Sequence, residues 1–138
     1  MSIWTHVSGV IRLDSLRVVY DITPEINKCF KPVRFEDPIK MWEKCNMPRG
    51  SEGSLQYMVQ ENPDESTIAS HIVVIYGDLR DYGIDRETEI VTWWRKVLKQ
   101  MNSLRGCVGV RNAVLSAKFE DGSTVVLDEG GKRMIVQK

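Results

Sequence analysis

This 138-residue sequence carries no excess of charge of either sign: Lys and Arg together number 19, and so do Asp and Glu. The phosphate backbone of a nucleic acid is therefore offered no global attraction, which excludes a general nucleic-acid binder. The same balance removes the self-repulsion that keeps small domains apart, so a homo-oligomer is expected. Cysteine is also scarce. Cys29, Cys45 and Cys107 are odd in number, widely spaced and without a CxxC pair, which fits neither a disulfide framework nor a zinc site. No metal or cofactor is expected, and a reducing cytoplasm suits the free thiols. Long apolar runs are missing too. The longest, IVVIY, is far short of a membrane span, and MSIWTHVSGV has no basic region leading into an apolar stretch. A soluble, unexported protein away from membranes is the expectation.

What is present suits one folded domain over 1–138. Hydrophobic residues make up 42% and charged residues 28%, the balance of a globular chain, and this length buries roughly two thirds of the unfolded surface. IWTHVSGVIRL at 3–13 alternates, with Ile3, Thr5, Val7, Ile11 and Leu13 on one side and Trp4, His6, Ser8, Val10 and Arg12 on the other, and reads as a strand. DSLRVVYDI fits strand or helix. TPEINKCF predicts a helix: Thr23 can cap, Pro24 suits the first helical position, and Ile26, Cys29 and Phe30 form its apolar stripe. DPIKMWEKC repeats the device as a short helix burying Met41, Trp42 and Cys45.

NMPRGSEGS reads as the flexible loop of the chain. SLQYMVQ and SHIVVIYG follow as strands that pair in an antiparallel hairpin, the second the most buried segment of all. Asp85 is expected to cap the strongest helix, DRETEIVTWWRKVLKQMNS, with Ile90, Trp94, Val97 and Met101 inward and Trp93 at the margin. RNAVLSAKF, STVVLD and KRMIVQ are read as strands joined by the turn signals EDGS and EGGK. The order predicts an α+β fold: a ferredoxin-like (split βαβ) antiparallel sheet with two helices on one face and an extra C-terminal β-hairpin.

The densest polar cluster is YGDLRDYG at 76–83. An extended backbone would display Asp78, Arg80 and Tyr82 on one side. Arg80 could then hold a carboxylate or phosphate, with the tyrosines as stacking surfaces. The plain alternative is a charged strand-to-helix turn in which Arg80 pairs with Asp78 or Asp81. Arg49, in PRGSEGS, could add charge beside glycines that admit an anion, although this segment lacks a P-loop ending. Arg80, Asp78, Tyr82 and Arg49 are thus the candidate ligand-binding residues.

Trp4 and Trp93 fall on the weaker sides of their elements and are the candidate interface residues. His6 and His71 would share a sheet face if first and third strands are neighbours. HVS at 6–8 fits one half of a two-histidine phosphodiesterase pattern, and HIV at 71–73 does not fit the other. No catalytic residue is assigned.

The segments IWTHVSGVIRLDS, GSEGSLQY and YGDLRDYG resemble a group of small uncharacterised proteins of tailed bacteriophages and prophages. The resemblance implies an accessory protein made in the cytoplasm of an infected bacterium, and brings no catalytic residues. The leading expectation is a non-catalytic binding protein that engages a host protein or a small anionic ligand such as a nucleotide, with counter-defence as one role. The alternatives are a small hydrolase or phosphodiesterase using His6 with Asp78, and a structural or assembly subunit, favoured if the open sheet face is apolar and buried against a copy of itself.

Overall fold

The structure, a computed structural model, describes residues 2–15, 22–30, 47–62, 69–104 and 107–134. The expected helix over DPIKMWEKC, with Met41, Trp42 and Cys45, and residues 16–21 of DSLRVVYDI lie outside these residues, while Asp14 and Ser15 end the first strand. Strand β1 spans Trp4–Ser15, helix α1 Thr23–Phe30, the short strands β2 and β3 Arg49–Gly50 and Gly53–Ser54, β4 Gln56–Glu61 and β5 Ala69–Arg80. A 3₁₀ turn over Ile84–Arg86 leads into helix α2, Glu87–Asn102, and β6 (Cys107–Phe119), β7 (Thr124–Leu127) and β8 (Arg133–Met134) follow.

The fold is α+β. Six strands form one sheet in the order β4-β5-β1-β6-β7-β8, each antiparallel to its neighbour, and β2 with β3 makes a separate hairpin. The alternation read at 3–13 sets the layers from Thr5 onward; Ile3, expected on the inner side, precedes the strand and is exposed. Thr5, Val7, Ile11 and Leu13 are buried, while His6, Ser8 and Arg12 are exposed. The inward side of β1 joins Val73, Ile75 and Leu79 of β5 and Ala113, Leu115, Ala117 and Phe119 of β6 in one core with residues of both helices. Gly9 sits where a Cβ would lie 2.6 Å from Leu115 Cδ1 and 2.9 Å from the Val114 carbonyl oxygen, so only glycine lets β6 approach there.

Helix α1 buries Ile26, Cys29 and Phe30, as its stripe predicts. Its edge is anchored to β4 by Phe30 stacked on Tyr57, centroids 4.4 Å apart, and by Tyr57 Oη donating to Asn27 Oδ1 at 3.0 Å. Helix α2 buries Ile90, Trp93, Trp94, Val97, Leu98 and Met101. Trp93 is 3% exposed, so its expected place at an exposed margin is corrected. The apolar stripe occupies both rows of the i, i+3, i+4 pattern. The indole N–H of Trp94 donates to the Asp128 carbonyl at 2.9 Å and Arg95 Nε to that of Gly131 at 3.0 Å, which ties the β7–β8 turn to α2.

Two local expectations change. Asp85 lies inside the 3₁₀ turn instead of capping α2, whose N-cap position is Arg86, without a side-chain cap bond. Glu87 and Glu89 supply the negative charge that the helix start favours. NMPRGSEGS, expected to be a flexible loop, is the β2–β3 hairpin, and it is docked. Ser51 N–H donates to the Arg80 carbonyl at 2.9 Å, and a Cβ on Gly50 would lie 2.6 Å from the Arg80 backbone N and O.

Candidate functional site

YGDLRDYG divides at a single backbone torsion. Up to Arg80 the strand is extended, and Tyr76, Asp78 and Arg80 occupy its outward side while Leu79 is buried. Asp81 then takes φ 55, a left-handed conformation that ends the alternation. Ser51 Oγ donates to Asp81 Oδ2 at 2.6 Å and holds that turn. Tyr82 is thereby directed inward and is fully buried, so the expectation that it shares a side with Asp78 and Arg80 is corrected.

The Tyr82 ring lies under the Arg86 guanidinium, 4.1 Å from its centroid, and its hydroxyl donates to Glu89 Oε2 at 3.1 Å. Burial, and then the Glu89 carboxylate beside it, push the phenol well above the usual tyrosine range. Its ring is not available to stack on a ligand. Arg80 is occupied as well: Nη1 donates to Glu52 Oε1 at 2.7 Å and Nε to Ser2 Oγ at 2.9 Å. Arg49 is exposed on the hairpin, its carbonyl accepting from Arg86 Nη2 at 3.4 Å. Tyr82 is thus turned away from the outward side that Asp78 and Arg80 share, and Arg80 is already engaged by Glu52 and Ser2.

The two histidines lie on opposite faces of the sheet. His71 is buried, its Nε2 3.1 Å from Thr23 Oγ1 and 3.4 Å from Glu61 Oε1, where it joins β5 to the start of α1. His6 stands on the outer face with Nδ1 2.6 Å from Asp78 Oδ1; the two side chains are 56% and 65% exposed. A shared face, and with it a two-histidine phosphodiesterase, is overturned, because the inward side of β5 carries His71 and the outward side of β1 carries His6.

The His6–Asp78 contact belongs to a larger surface. Strand pairing places Lys118, His6 and Asp78 side by side, and Trp4 opposite Arg80. The next row runs Met134, Val126, Ser116, Ser8, Tyr76 and Gln56, and beyond it comes Val114, Val10, Val74 and Met58. Asn112, Arg12, Ile72 and Gln60 close the patch. Its large apolar members stand open: Met58 48%, Tyr76 47%, Val114 43% and Met134 49% exposed. Trp4 is half-buried at one corner.

Sequence reasoning missed this band because HIVVIYG reads as a strand buried on both sides. The signal was there: Ile72, Val74 and Tyr76 repeat on the side opposite Val73 and Ile75, and Val10 interrupts the polar side of β1.

Among the described residues, no group of three or more His, Cys, Asp or Glu could hold a metal ion, and no helix is long and apolar enough to cross a membrane. Comparison of the chain with protein-family models, with curated proteins and with solved structures finds no match.

Proposed function

We propose that this chain is a non-catalytic accessory binding protein of bacteriophage type that engages a protein of the bacterial host through the open face of its sheet. The observation that carries the reading is the exposed band of Met58, Tyr76, Val114 and Met134 around Val10 and Val74. Monomeric soluble proteins rarely leave a contiguous apolar patch of more than a few hundred Å² uncovered, and such patches mark interaction sites. The resemblance of IWTHVSGVIRLDS and YGDLRDYG to phage proteins supplies the context, an infected bacterial cytoplasm, and counter-defence is the role that context favours. The order β4-β5-β1-β6, with α1 between β1 and β4 and α2 between β5 and β6 in sequence, supports a split βαβ, ferredoxin-like sandwich, the layout that leaves one sheet face free.

The test is capture from a lysate of phage-infected bacteria with the wild type, with Val114→Lys on the open face and with Glu129→Lys on an exposed turn as control. The wild type and control recover the same host protein and Val114→Lys does not. Equal recovery by all three would remove the open face from the reading. Recovery of a nucleotide or other small anion in place of a protein would redirect it to the anionic-ligand form.

One observation favours a second reading, ester or phosphodiester hydrolysis. Asp78 engages His6 Nδ1 at 2.6 Å, which is how a carboxylate orients an imidazole whose Nε2 takes a proton from water. Wild-type turnover of bis(p-nitrophenyl) phosphate that disappears in His6→Ala would support it, and inert wild-type protein would end it.

A further inference from the structure

We infer that the open face of the sheet is covered by a second copy of this chain, in a two-fold dimer packed sheet against sheet. The inference rests on reading that face as the binding surface: in the free protein the second copy covers it, and a host protein engages it by displacing that copy.

The first argument is area. Six strands about 4.8 Å apart, with outward side chains every 6.8 Å or so, give a face roughly 25 Å on a side, on the order of 600 Å² before side-chain relief is counted. A stable interface buries about 800 Å² per partner, so the face has the size a dimer needs and holds an apolar band at its centre. The second argument is charge. Lys and Arg balance Asp and Glu at 19 each, so two copies approach without net repulsion.

The third argument is self-complementarity. A two-fold axis lying in the interface and running across the strands keeps each strand over its own copy and reverses the order of the rows. Passing between the Ser8 row and the Val10 row, it sets Ser8 over Val10 of the partner subunit and Tyr76 over Val74 of the partner subunit, small against branched and broad against branched. Large and small outward residues then alternate across facing sheets, as in a sandwich about 10 Å thick. The same axis carries the Arg12 end of each copy to the His6–Asp78 end of the other. Arg12, exposed at one margin, comes within reach of Asp78 of the partner subunit, and Lys118 falls over the neutral Asn112 of the partner subunit. The pairing occurs twice, once for each copy.

Sedimentation and light scattering of the purified chain test the inference. The wild type at roughly 10–100 µM is expected at twice the chain mass of 15.8 kDa, a range that reports micromolar dissociation constants. Val114→Lys, which would bury an unpaired charge at the centre, is expected to weaken association by about 100-fold or more and to leave the monomer folded by circular dichroism. Arg12→Glu and Asp78→Lys each weaken the dimer, and the two together restore it. A wild type that stays at 15.8 kDa overturns the inference, and leaves the host-protein reading standing if lysate capture still depends on Val114. A dimer that survives Val114→Lys overturns it as well and moves the contact off this face.

Discussion

Arg80 turns away from the two aspartates that flank it and pairs with Glu52 at 2.7 Å, joining the end of β5 to the β2–β3 hairpin. Both partners are well exposed, 39% and 56%, so the ion pair itself contributes little. Arg80→Ala and Glu52→Ala should each cost under about 1 kcal/mol. Gly50→Ala should cost more, about 2 kcal/mol, because its new methyl would press on the Arg80 backbone N and O at 2.6 Å. Urea unfolding of the three variants checks the order. A larger loss from Arg80→Ala than from Gly50→Ala would mean that the charge, not the close backbone contact, seats the hairpin.

The junction beyond β5 depends on a buried hydroxyl. Thr5 Oγ1 donates to the Tyr82 carbonyl, and Thr5 is fully buried. Thr5→Val keeps the shape and strands the carbonyl, at an expected cost of about 1–3 kcal/mol. Thr5→Ser keeps the donor and should lose less. Chemical denaturation resolves the two.

Tyr82 gives the fold a pH limit on the alkaline side. Its folded phenol titrates well above the ordinary value of 10.0, so above about pH 10 the unfolded chain loses its proton first. Stability falls as pH rises wherever the native state holds more protons than the unfolded one. The contribution of neutral Tyr82 is therefore whole below pH 10 and declines above it. Thermal midpoints between pH 9 and 11.5 should fall more steeply in the wild type than in Tyr82→Phe.

The adjacent tryptophans of α2 should answer the same substitution differently. The indole nitrogen of Trp93 is buried and finds no acceptor among the described residues, whereas that of Trp94 donates to Asp128 at 2.9 Å. Trp93→Phe removes an unsatisfied donor and should stay within about 1 kcal/mol of the wild type. Trp94→Phe removes one of the two donors to the Asp128 carbonyl, which keeps the Gly131 N–H at 3.0 Å, and opens space where the indole was fully buried, for about 1–3 kcal/mol. Thermal or urea unfolding of the pair checks it.

On the outer face, His6 and Asp78 are coupled in plain view of solvent. A double-mutant cycle with His6→Ala and Asp78→Ala should return about 0.2–1 kcal/mol, the range of exposed pairs. Zero coupling would mean that the contact is incidental.

The strands of the main sheet and both described helices were legible because their signals are periodic. β1 shows its two faces within a dozen residues, and TPEINKCF carries its stripe, although the helix starts at Thr23 itself, whose hydroxyl donates to Glu61. Tyr82 was misplaced because the rule of alternation holds only while the backbone stays extended, and nothing in RDYG announces that Asp81 leaves it. Trp93 was misplaced because a helix stripe is centred by what packs beside it, here α1 and the sheet together. The β2–β3 hairpin was taken for a loose loop because its docking depends on Gly50 meeting Arg80, 30 positions later in the chain. The apolar outer face was visible in composition, yet a strand that is hydrophobic on both sides reads as core until one side is found open.

Because β1 lies between β5 and β6, the first strand of the sheet to be made is its middle one. Its pairing partners follow roughly 65 and 105 residues later, so closing the sheet pays the entropy of two long loops before either ladder forms. On a ribosome that synthesises about 5–20 residues per second, β1 waits for several seconds with both edges unpaired. Its outer side during that wait sets Trp4 and Val10 among the polar His6, Ser8 and Arg12, an interruption that works against an unpaired strand joining others of its kind.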